Sequence, residues 1–556
     1  VDSLAQEGGI NMVIDDALNI TYSYLQDNYE QKELIDICEE LKKIARVEEF
    51  SFDNKEKKTS CSYDIIQDAL SKLNEKESIR KHKGVYYTPS DVVQFILTNS
   101  IKLTYEKLKP DNIHDKTLNE IPYLSFCTNK TVFDPTCGAG EYLLAALELK
   151  LDLLDAHTSN VTKEVLAKTV STILGNDINM ESVIITEIRL FLCALNRYGI
   201  KKCMGLAEVI NQSFKSYDFV TQKPDINVKY HIIVGNPPYV EDYKSGLSPE
   251  IKYGNIYANV LKNAAEHLES NGSIGFIIPL SYVATPRMKK IRDDLFNVVT
   301  EQYILSYADR PDCLFNSVHQ KLCILIGKSK GTSKRIFTGN YQHWYKEERG
   351  KLFERTQVIE NNYSTDGFIP KLGTINDINI YKKVINSENR VSVYAISRIG
   401  TESVYVNRRE TFWMKAYRTP IINPEYKVFS FKTSDEADYC YCLINSSLFW
   451  WYWISVSDCW HVSKDLNGFM APVIKDCAVA TRLAQALRTR LEETKVYVGT
   501  KQTEYEYKHR DCVIEIHAID DYINSLYGLT SEESSYIKNF AYRYRTSGGA
   551  ETNEGS

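Results

Sequence analysis

The residues best placed to do chemistry are Asn236-Pro237-Pro238-Tyr239, which follow directly on the apolar run His231-Ile232-Ile233-Val234-Gly235. A strand followed by such a tetrad carries the Asn to the carboxyl end of a sheet, where open α/β folds build their sites. The residue types suit one kind of target. An amino nitrogen conjugated to a ring is a poor nucleophile, because its lone pair is delocalised. Two acceptors aimed at its two N–H bonds hold it toward tetrahedral geometry and localise the pair. The Asn236 side-chain oxygen and the Pro237 backbone carbonyl can be those acceptors. The prolines fix φ and stiffen the loop, so the acceptors are preorganised. Tyr239 offers a flat face on which a base can stack. A plain proline turn after a strand is the simpler alternative for these four letters on their own.

Three further motifs lie upstream. Phe133-Asp134-Pro135-Thr136-Cys137-Gly138-Ala139-Gly140-Glu141 stands between an apolar run and the helical pattern Tyr142–Leu151. Glycines there let a ligand approach the backbone, and Asp134 can orient an ammonium group. The Gly-x-Gly-x-x-Gly fingerprint of dinucleotide folds is not completed. Ile173-Leu174-Gly175-Asn176-Asp177-Ile178 puts a second acid after a second strand, 43 residues on from Asp134. Asp177 there suits a ribose diol, although an Asp after a strand is often only a helix cap. Gly84-Val85-Tyr86-Tyr87-Thr88-Pro89 opens the amphipathic stretch Val92–Ile101, and a Pro-started helix is the bland reading.

The elements that must position these residues follow from the pattern. Residues 12–80 read as helical, with Leu34, Ile35, Ile37, Leu41 and Ile44 at helical spacing. Glu75–Lys83 reads as a linker. From Gly84 to about Lys330, the runs Thr131–Phe133, Thr172–Leu174, His231–Val234, Ser273–Ile278 and Leu322–Ile326 alternate with helical stretches. That rhythm predicts a parallel sheet with helices on both faces. Past Gly331 the rhythm is lost and aromatic and basic residues rise, so a separate C-terminal domain is expected. The expected division is a helical segment over 1–83, a catalytic domain over 84–330, a connecting region over 331–390, a recognition domain over 391–546 and a disordered tail over 547–556. Val1 is not an initiator, and Met12 is the expected natural start.

Together these motifs resemble, in kind and order, the gamma-class N6-adenine DNA methyltransferases of restriction–modification systems. Further matching segments are Asn255–Ala258, Gly272–Pro279 and Leu314–Gln320. The resemblance carries specific motifs over roughly residues 84–330, and beyond them only layout and the stretch Ile519–Leu529. It implies an α/β fold: a Rossmann-like S-adenosylmethionine-dependent methyltransferase domain, a helical N-terminal segment and an α+β C-terminal target-recognition domain. By resemblance, Tyr87, Thr88, Pro89, Asp134, Thr136, Gly138, Gly140, Asp177, Ile178 and Asn236 line the S-adenosylmethionine site. Asn236, Pro237, Pro238 and Tyr239 hold the target base, and Phe315 stacks on its other face. The family's third motif usually has an Asp where this chain has Ile210-Asn211-Gln212-Ser213-Phe214, so the amide of Gln212 is expected to substitute.

The same tetrad also occurs in methyltransferases that modify RNA bases or a protein glutamine, and these remain alternatives. A non-catalytic DNA-specificity subunit is a third. Those other enzymes are usually short, whereas this chain has over 220 residues after the catalytic fold. An enzyme that reads several base pairs and flips one base needs such a second domain, which favours double-stranded DNA. Arg398, Trp413, Lys415 and Arg418 are the candidate DNA contacts. A monomer on DNA is expected, with a separate restriction endonuclease as partner.

Composition excludes several classes. At 556 residues the chain is too long for one ordinary domain. The net charge of −6 gives no general sign of polyanion binding, but it is uneven: residues 1–80 hold 10 Lys/Arg against 18 Asp/Glu, and residues 331–420 hold 15 against 9. A local basic surface matters more to DNA than the total. No apolar run approaches the ~20 residues of a membrane span, and Val1–Gly9 lack the pattern of a signal peptide. The 13 cysteines are odd in number and scattered, which reads as a reduced, cytoplasmic protein. Cys440 and Cys442, read as alternating on a strand, stand with Cys459 and His461 at the wrong spacing for known zinc modules, so no metal is expected. Glu40-Leu41-Lys42 has the letters of a nuclease motif but lies in a helical pattern.

Overall fold

The computed structural model describes residues 2–48, 62–73, 87–118, 120–222, 225–315, 319–329, 333–365, 367–391, 401–421, 423–462, 469–499 and 504–546. The linker Glu75–Lys83, the segment Gly84–Tyr86 and the tail 547–556 lie outside these residues.

A nine-stranded sheet organises the chain. Its strands are β1 (Val132–Asp134), β2 (Ile173–Asn176), β3 (Phe214–Lys215), β4 (Tyr230–Gly235), β5 (Leu268–Pro279), β6 (Glu301–Tyr307), β7 (Leu322–Lys328), β8 (Arg335–Gln342) and β9 (Ile359–Glu360). They lie in the order β3-β2-β1-β4-β5-β7-β6-β8-β9. The strands from β3 to β5 are parallel, as the alternating pattern predicts. The sheet is mixed, however: β7 slots between β5 and β6 and runs antiparallel to both. An apolar run such as Leu322–Ile326 signals burial on both faces but carries no direction. The sheet also continues past residue 330, because β8 pairs parallel with β6 and β9 closes the edge. Residues read from sequence as a connecting region therefore extend the main sheet.

Helices cover both faces. On one side pack α4 (Ser90–Thr104), α5 (Glu141–His157) and α6 (Met180–Tyr198), whose buried residues share a core with one face of the central strands. The N-terminal helices α1 (Asp2–Asn28), α2 (Gln31–Ala45) and α3 (Tyr63–Lys72) join the same core. In α2 the residues Leu34, Ile37, Leu41 and Ile44 face inward as their spacing requires, while Ile35 is exposed. Glu40 of the nuclease-like triplet is buried and accepts the Ala207 N–H at 3.0 Å, a structural role.

The other face is covered by α8 (Ile256–Glu266) and α9 (Lys289–Phe296), and its core runs without a break into the C-terminal region. That region combines α10 (Ile375–Ile385), a three-stranded antiparallel sheet of β11 (Glu402–Asn407), β12 (Ala416–Tyr417) and β13 (Tyr426–Phe431), and the helices α11 (Ser434–Asn445), α12 (Ser447–Val456), α13 (Cys477–Thr494) and α14 (Val513–Leu526). A further pair joins β10 (Asn389–Arg390) to β14 (Met470–Ala471). This is an α+β arrangement. Cys440 and Cys442 sit on α11 rather than on a strand. At ~100° per residue their side chains diverge on the helix.

Helix α12, Ser-Leu-Phe-Trp-Trp-Tyr-Trp-Ile-Ser-Val, is buried on every side. A helix that is apolar all round belongs in a core, and each indole N–H needs a partner there. Trp450 donates to Thr411 O at 2.9 Å, Trp451 to Asp377 Oδ1 at 3.0 Å and Trp453 to His461 O at 3.4 Å. No helix among the described residues is long and apolar enough to cross a membrane.

Candidate active site

Parallel pairing brings three polar residues to one edge of the sheet. Asp134 ends β1, Asp177 follows β2 and Asn236 follows β4. The register Asp134↔Gly175 and Phe133↔Ile233 sets all three at the carboxyl ends of neighbouring strands.

The glycine loop sits between Asp134 and α5. Gly138 has φ +53° and Gly140 φ +87°, both in the left-handed region that favours glycine. A Cβ on Gly138 would meet nothing within 4 Å, whereas one on Gly140 would lie 2.5 Å from Thr186 Cγ2. Open space over Gly138 and a filled wall behind Gly140 are what a loop needs to receive a ligand from one side. Thr136 N donates to Asp134 Oδ1 at 2.9 Å, and the Thr136 hydroxyl is buried without a partner among the described residues. Asn176 clips the loop to the sheet: its Nδ2 donates to Pro135 O at 3.0 Å and its backbone oxygen accepts the Cys137 N–H at 2.8 Å.

The two acids differ in surroundings. Asp134 is buried, and burial, with the nearby Asp177 charge adding to it, pushes its carboxyl up to about 8. Asp177 is half-exposed and accepts the Gly138 N–H at 2.9 Å on one oxygen and the Asn179 N–H at 2.9 Å on the other. Ile178 beside it is 56% exposed, so its apolar side chain is open to a ligand next to the polar site.

At the tetrad, Asn236 Nδ2 donates to Thr88 Oγ1 at 3.1 Å. The amide is thus gripped by its nitrogen end, which orients its oxygen as the acceptor. Thr88 is buried just ahead of α4, whose Val92 and Val93 N–H groups donate to Pro89 O. Pro237 is buried, Pro238 is half-buried, and the half-buried Tyr239 donates its hydroxyl to Ile277 O at 3.0 Å. Tyr87 is partly exposed; burial, then the Glu141 carboxylate to which it is bonded, pushes its hydroxyl up to about 12.

Tyr87, Thr88, Pro89, Asp134, Thr136, Gly138, Gly140, Asp177, Ile178, Asn236, Pro237, Pro238 and Tyr239 thus gather at one sheet edge. Other expected residues do not join them. Gln212 is exposed on α7 (Leu206–Ser213), and because Phe214 pairs with Gly175 it lies toward the amino end of β2, away from the site. At the carboxyl end of β3 stands Ser216 instead, whose hydroxyl donates to Ile178 O at 3.4 Å. Phe315 is only 1% exposed, within the core. Trp413 is 5% exposed, donates Nε1 to Arg545 O at 2.9 Å and is covered by the Arg545 guanidinium at 4.1 Å. Arg418 is paired with Glu402 at 2.5 Å and Asp438 at 3.0 Å. These two are packing and pairing residues, not a DNA-facing surface. Lys415 is half-buried, and its charge adds to the burial that holds the His509 imidazole down to about 3. Arg398 lies outside the described residues.

Sequence reading missed the support behind the loop. Thr186 on α6 donates to Gly138 O at 2.9 Å, and Arg189, one turn on, donates to Ala139 O and pairs with Glu141 at 2.5 Å. Their 3-residue spacing on a mostly buried helix gives no signal that distinguishes them from core.

Residues 171–311 match the Eco57I restriction-modification methylase family. The type II methyltransferase M.BstVI of Geobacillus stearothermophilus is 24% identical over 225 residues, 38% of this chain and 39% of that protein. The type II methyltransferase M.VspI of Vibrio sp. (strain 343) is 22% identical over 236 residues, 41% of this chain and 44% of that protein. The matches thus span about two fifths of each of these relatives. Among solved structures, the type IIL restriction-modification enzyme MmeI in complex with DNA has 13% identity and a TM-score of 0.51, over 86% of this chain and 81% of that one, a likeness of fold. Around its Asn-Pro-Pro-Tyr corner, this chain is similar to the restriction–modification methylases.

Proposed function

We propose that the protein is a site-specific DNA methyltransferase that methylates the exocyclic N6 of adenine, using S-adenosylmethionine. The observation that carries the reading is the Asn236 amide, gripped by Thr88 at the carboxyl end of β4 and next to the glycine loop. Open space over Gly138, the buried Asp134 carboxyl, the unpartnered Thr136 hydroxyl and the exposed Ile178 face fit a ligand with an ammonium group, a ribose and a flat base. S-adenosylmethionine supplies the methyl group as a sulfonium electrophile.

In this reading the chain's own residues do the rest. Asp134 receives the ammonium, Asp177 takes the ribose hydroxyls and Ile178 packs on the cofactor's adenine. The target adenine leaves the duplex, at a cost of a few kcal/mol offset by contacts in the pocket. Tyr239 stacks on it, and its hydroxyl bond to Ile277 O fixes the ring. Asn236 Oδ1 and Pro237 O accept the two amino protons, so the lone pair localises as positive charge develops on nitrogen. No base is needed before transfer, since methylation makes the amine acidic and its proton leaves afterwards. The partner is double-stranded DNA, bound by a monomer in the cytoplasm, with a separate restriction endonuclease in the same system.

The experiment is incubation with labelled cofactor and a mixture of DNA, RNA and polypeptide. Label is expected in duplex DNA as N6-methyladenine. Label confined to RNA or to a glutamine side chain would refute the substrate, and no transfer at all would favour a non-catalytic specificity subunit.

A further inference from the structure

Two independent contacts run from the N-terminal helices to the back of the cofactor loop. The first is a reciprocal pair between α3 and α6: Arg189 Nε donates to Gln67 Oε1 at 2.9 Å, and Gln67 Nε2 donates to Arg189 O at 3.1 Å. Both residues are buried, Gln67 at 7% and Arg189 at 3% exposed. The outer end of the same guanidinium holds Ala139 O and Glu141. The second is a bidentate pair. Arg46, at the left-handed C-cap of α2, donates to Glu187 at 2.6 and 2.8 Å, and Glu187 is fully buried. Glu187 lies between Thr186, which holds Gly138 O, and Arg189 on α6.

The consequence is mechanical. Gly138 and Ala139 present their carbonyls to α6, so the position of α6 sets the shape of the loop. Arg189 can aim at Ala139 O only while its Nε is satisfied, because a buried guanidinium N–H left without an acceptor is costly. Its acceptor comes from α3, not from the catalytic sheet.

We propose that helices α2 and α3 tune the chain's affinity for S-adenosylmethionine by fixing the glycine loop through Gln67–Arg189 and Arg46–Glu187. Gln67 and Arg46 are positioning residues, since neither reaches the open face of the loop. The coupling runs both ways: whatever helix docking adds to cofactor affinity, cofactor binding returns to helix docking. A signal that loosens the N-terminal helices therefore lowers cofactor occupancy. The inference rests on the cofactor reading given above.

The test uses the full chain and S-adenosylhomocysteine as calorimetric ligand. Gln67→Ala is expected to raise Kd roughly tenfold, the scale of a lost hydrogen bond to a charged group, while the single-turnover rate at saturating S-adenosylmethionine stays within about twofold of wild type. Gln67→Glu, which restores an acceptor for Arg189 but loses the donor to Arg189 O, is expected to bind more tightly than Gln67→Ala and less tightly than wild type. Leu491→Ala, a core truncation in α13, is expected to lower Tm without moving Kd, which separates positioning from general loss of stability. In wild type, the ligand is expected to slow amide exchange in Tyr63–Lys72, and in Gln67→Ala that protection should vanish. If Gln67→Ala does not fold, Arg46→Lys carries the same test, because it keeps the charge and loses the fork. Wild type that binds no S-adenosylhomocysteine would overturn the cofactor reading and the coupling with it. Wild type that binds, with unchanged Kd in the variants or no added protection in α3, would overturn the coupling alone.

Discussion

Replacing Gly140 by Ala gives the sharpest test of the loop. The residue has φ +87°, where a side chain costs about 1–2 kcal/mol. The new methyl would stand 2.5 Å from Thr186 Cγ2 and 2.8 Å from Thr186 Oγ1. Thr186 is fully buried on α6 and cannot turn aside without giving up its 2.9 Å bond to Gly138 O. Overpacking of this kind costs about 1–3 kcal/mol, and the broken bond about 1 more. Together these come to about 3–6 kcal/mol, or roughly two to four orders of magnitude in cofactor affinity if the strain is relieved by distorting the loop. Calorimetric titration with S-adenosylhomocysteine beside thermal unfolding reads both possible destinations of that energy. Adding Thr186→Ser removes Cγ2 but keeps the hydroxyl 2.8 Å from the methyl, so the double variant should recover part of the steric cost and keep the φ part. Gly138→Ala is the contrasting case: its methyl meets open space, so Tm should fall only by the backbone cost of φ +53°, about 1–2 kcal/mol, with no steric part, while affinity falls further because the methyl occupies the face offered to the ligand. Wild-type affinity and Tm in Gly140→Ala would refute the argument that this backbone and the Thr186 wall shape the site.

Cofactor binding should depend on pH through Asp134. Its carboxyl, raised to about 8, is mostly protonated at pH 7 without a ligand, and a cationic ammonium favours the ionised form. Affinity should therefore rise from pH 6 toward 8 and level off above, with proton release visible in buffers of different ionisation enthalpy; binding without proton release would remove Asp134 from the ammonium site. Asn236→Ala should slow single-turnover methylation at least about 100-fold while shifting DNA affinity little, and an unchanged rate would refute the tetrad's role. Asp177→Ala should weaken cofactor binding by about 1.5–3 kcal/mol per lost charge-assisted bond, and because Asp177 also holds the Gly138 N–H, part of that loss should appear in Tm as well. Arg418→Ala should lower stability by about 2–4 kcal/mol, below the loss of a whole buried pair, because it takes one cation from the buried Asp438 and leaves Arg488 and Thr481; wild-type Tm with altered site preference would mean that Arg418 faces DNA after all.

The site was legible because its backbone needs are written in residue types. Prolines after a strand, glycines before a helix and acids at strand ends each answer a local demand, so their order in the chain gave the sheet edge. Long-range choices were not legible. Nothing in Leu322–Lys328 says that it runs antiparallel between β5 and β6, and β6 begins with the polar pair Glu301-Gln302, which gives no sign that the whole strand is buried. Gln212 was misplaced because α7 runs through Ser213 and leaves β3 only two residues long, so matching letters did not mean matching depth along the sheet. Trp413 and Arg418 have the side chains of DNA contacts, but partners distant in sequence, Arg545 and Asp438 among them, claim both.

The unbroken apolar core beneath the sheet bears on how such a protein can change. Tyr282, Ile304 and Leu325 of the half built on the main sheet lie in one cluster with Phe449, Trp451 and Trp453 of α12, and Lys371 ties the approach to α10 to both Ser455 O and Ser457 O. A C-terminal half fastened this way is not a cassette. Exchanging it whole with a relative would require matching a shared interior of large aromatic rings, and cutting it off near residue 390 would leave that interior facing water. Sequence change is therefore more accessible in the surface loops of the C-terminal half, which can be rewritten while the buried joint stays as it is.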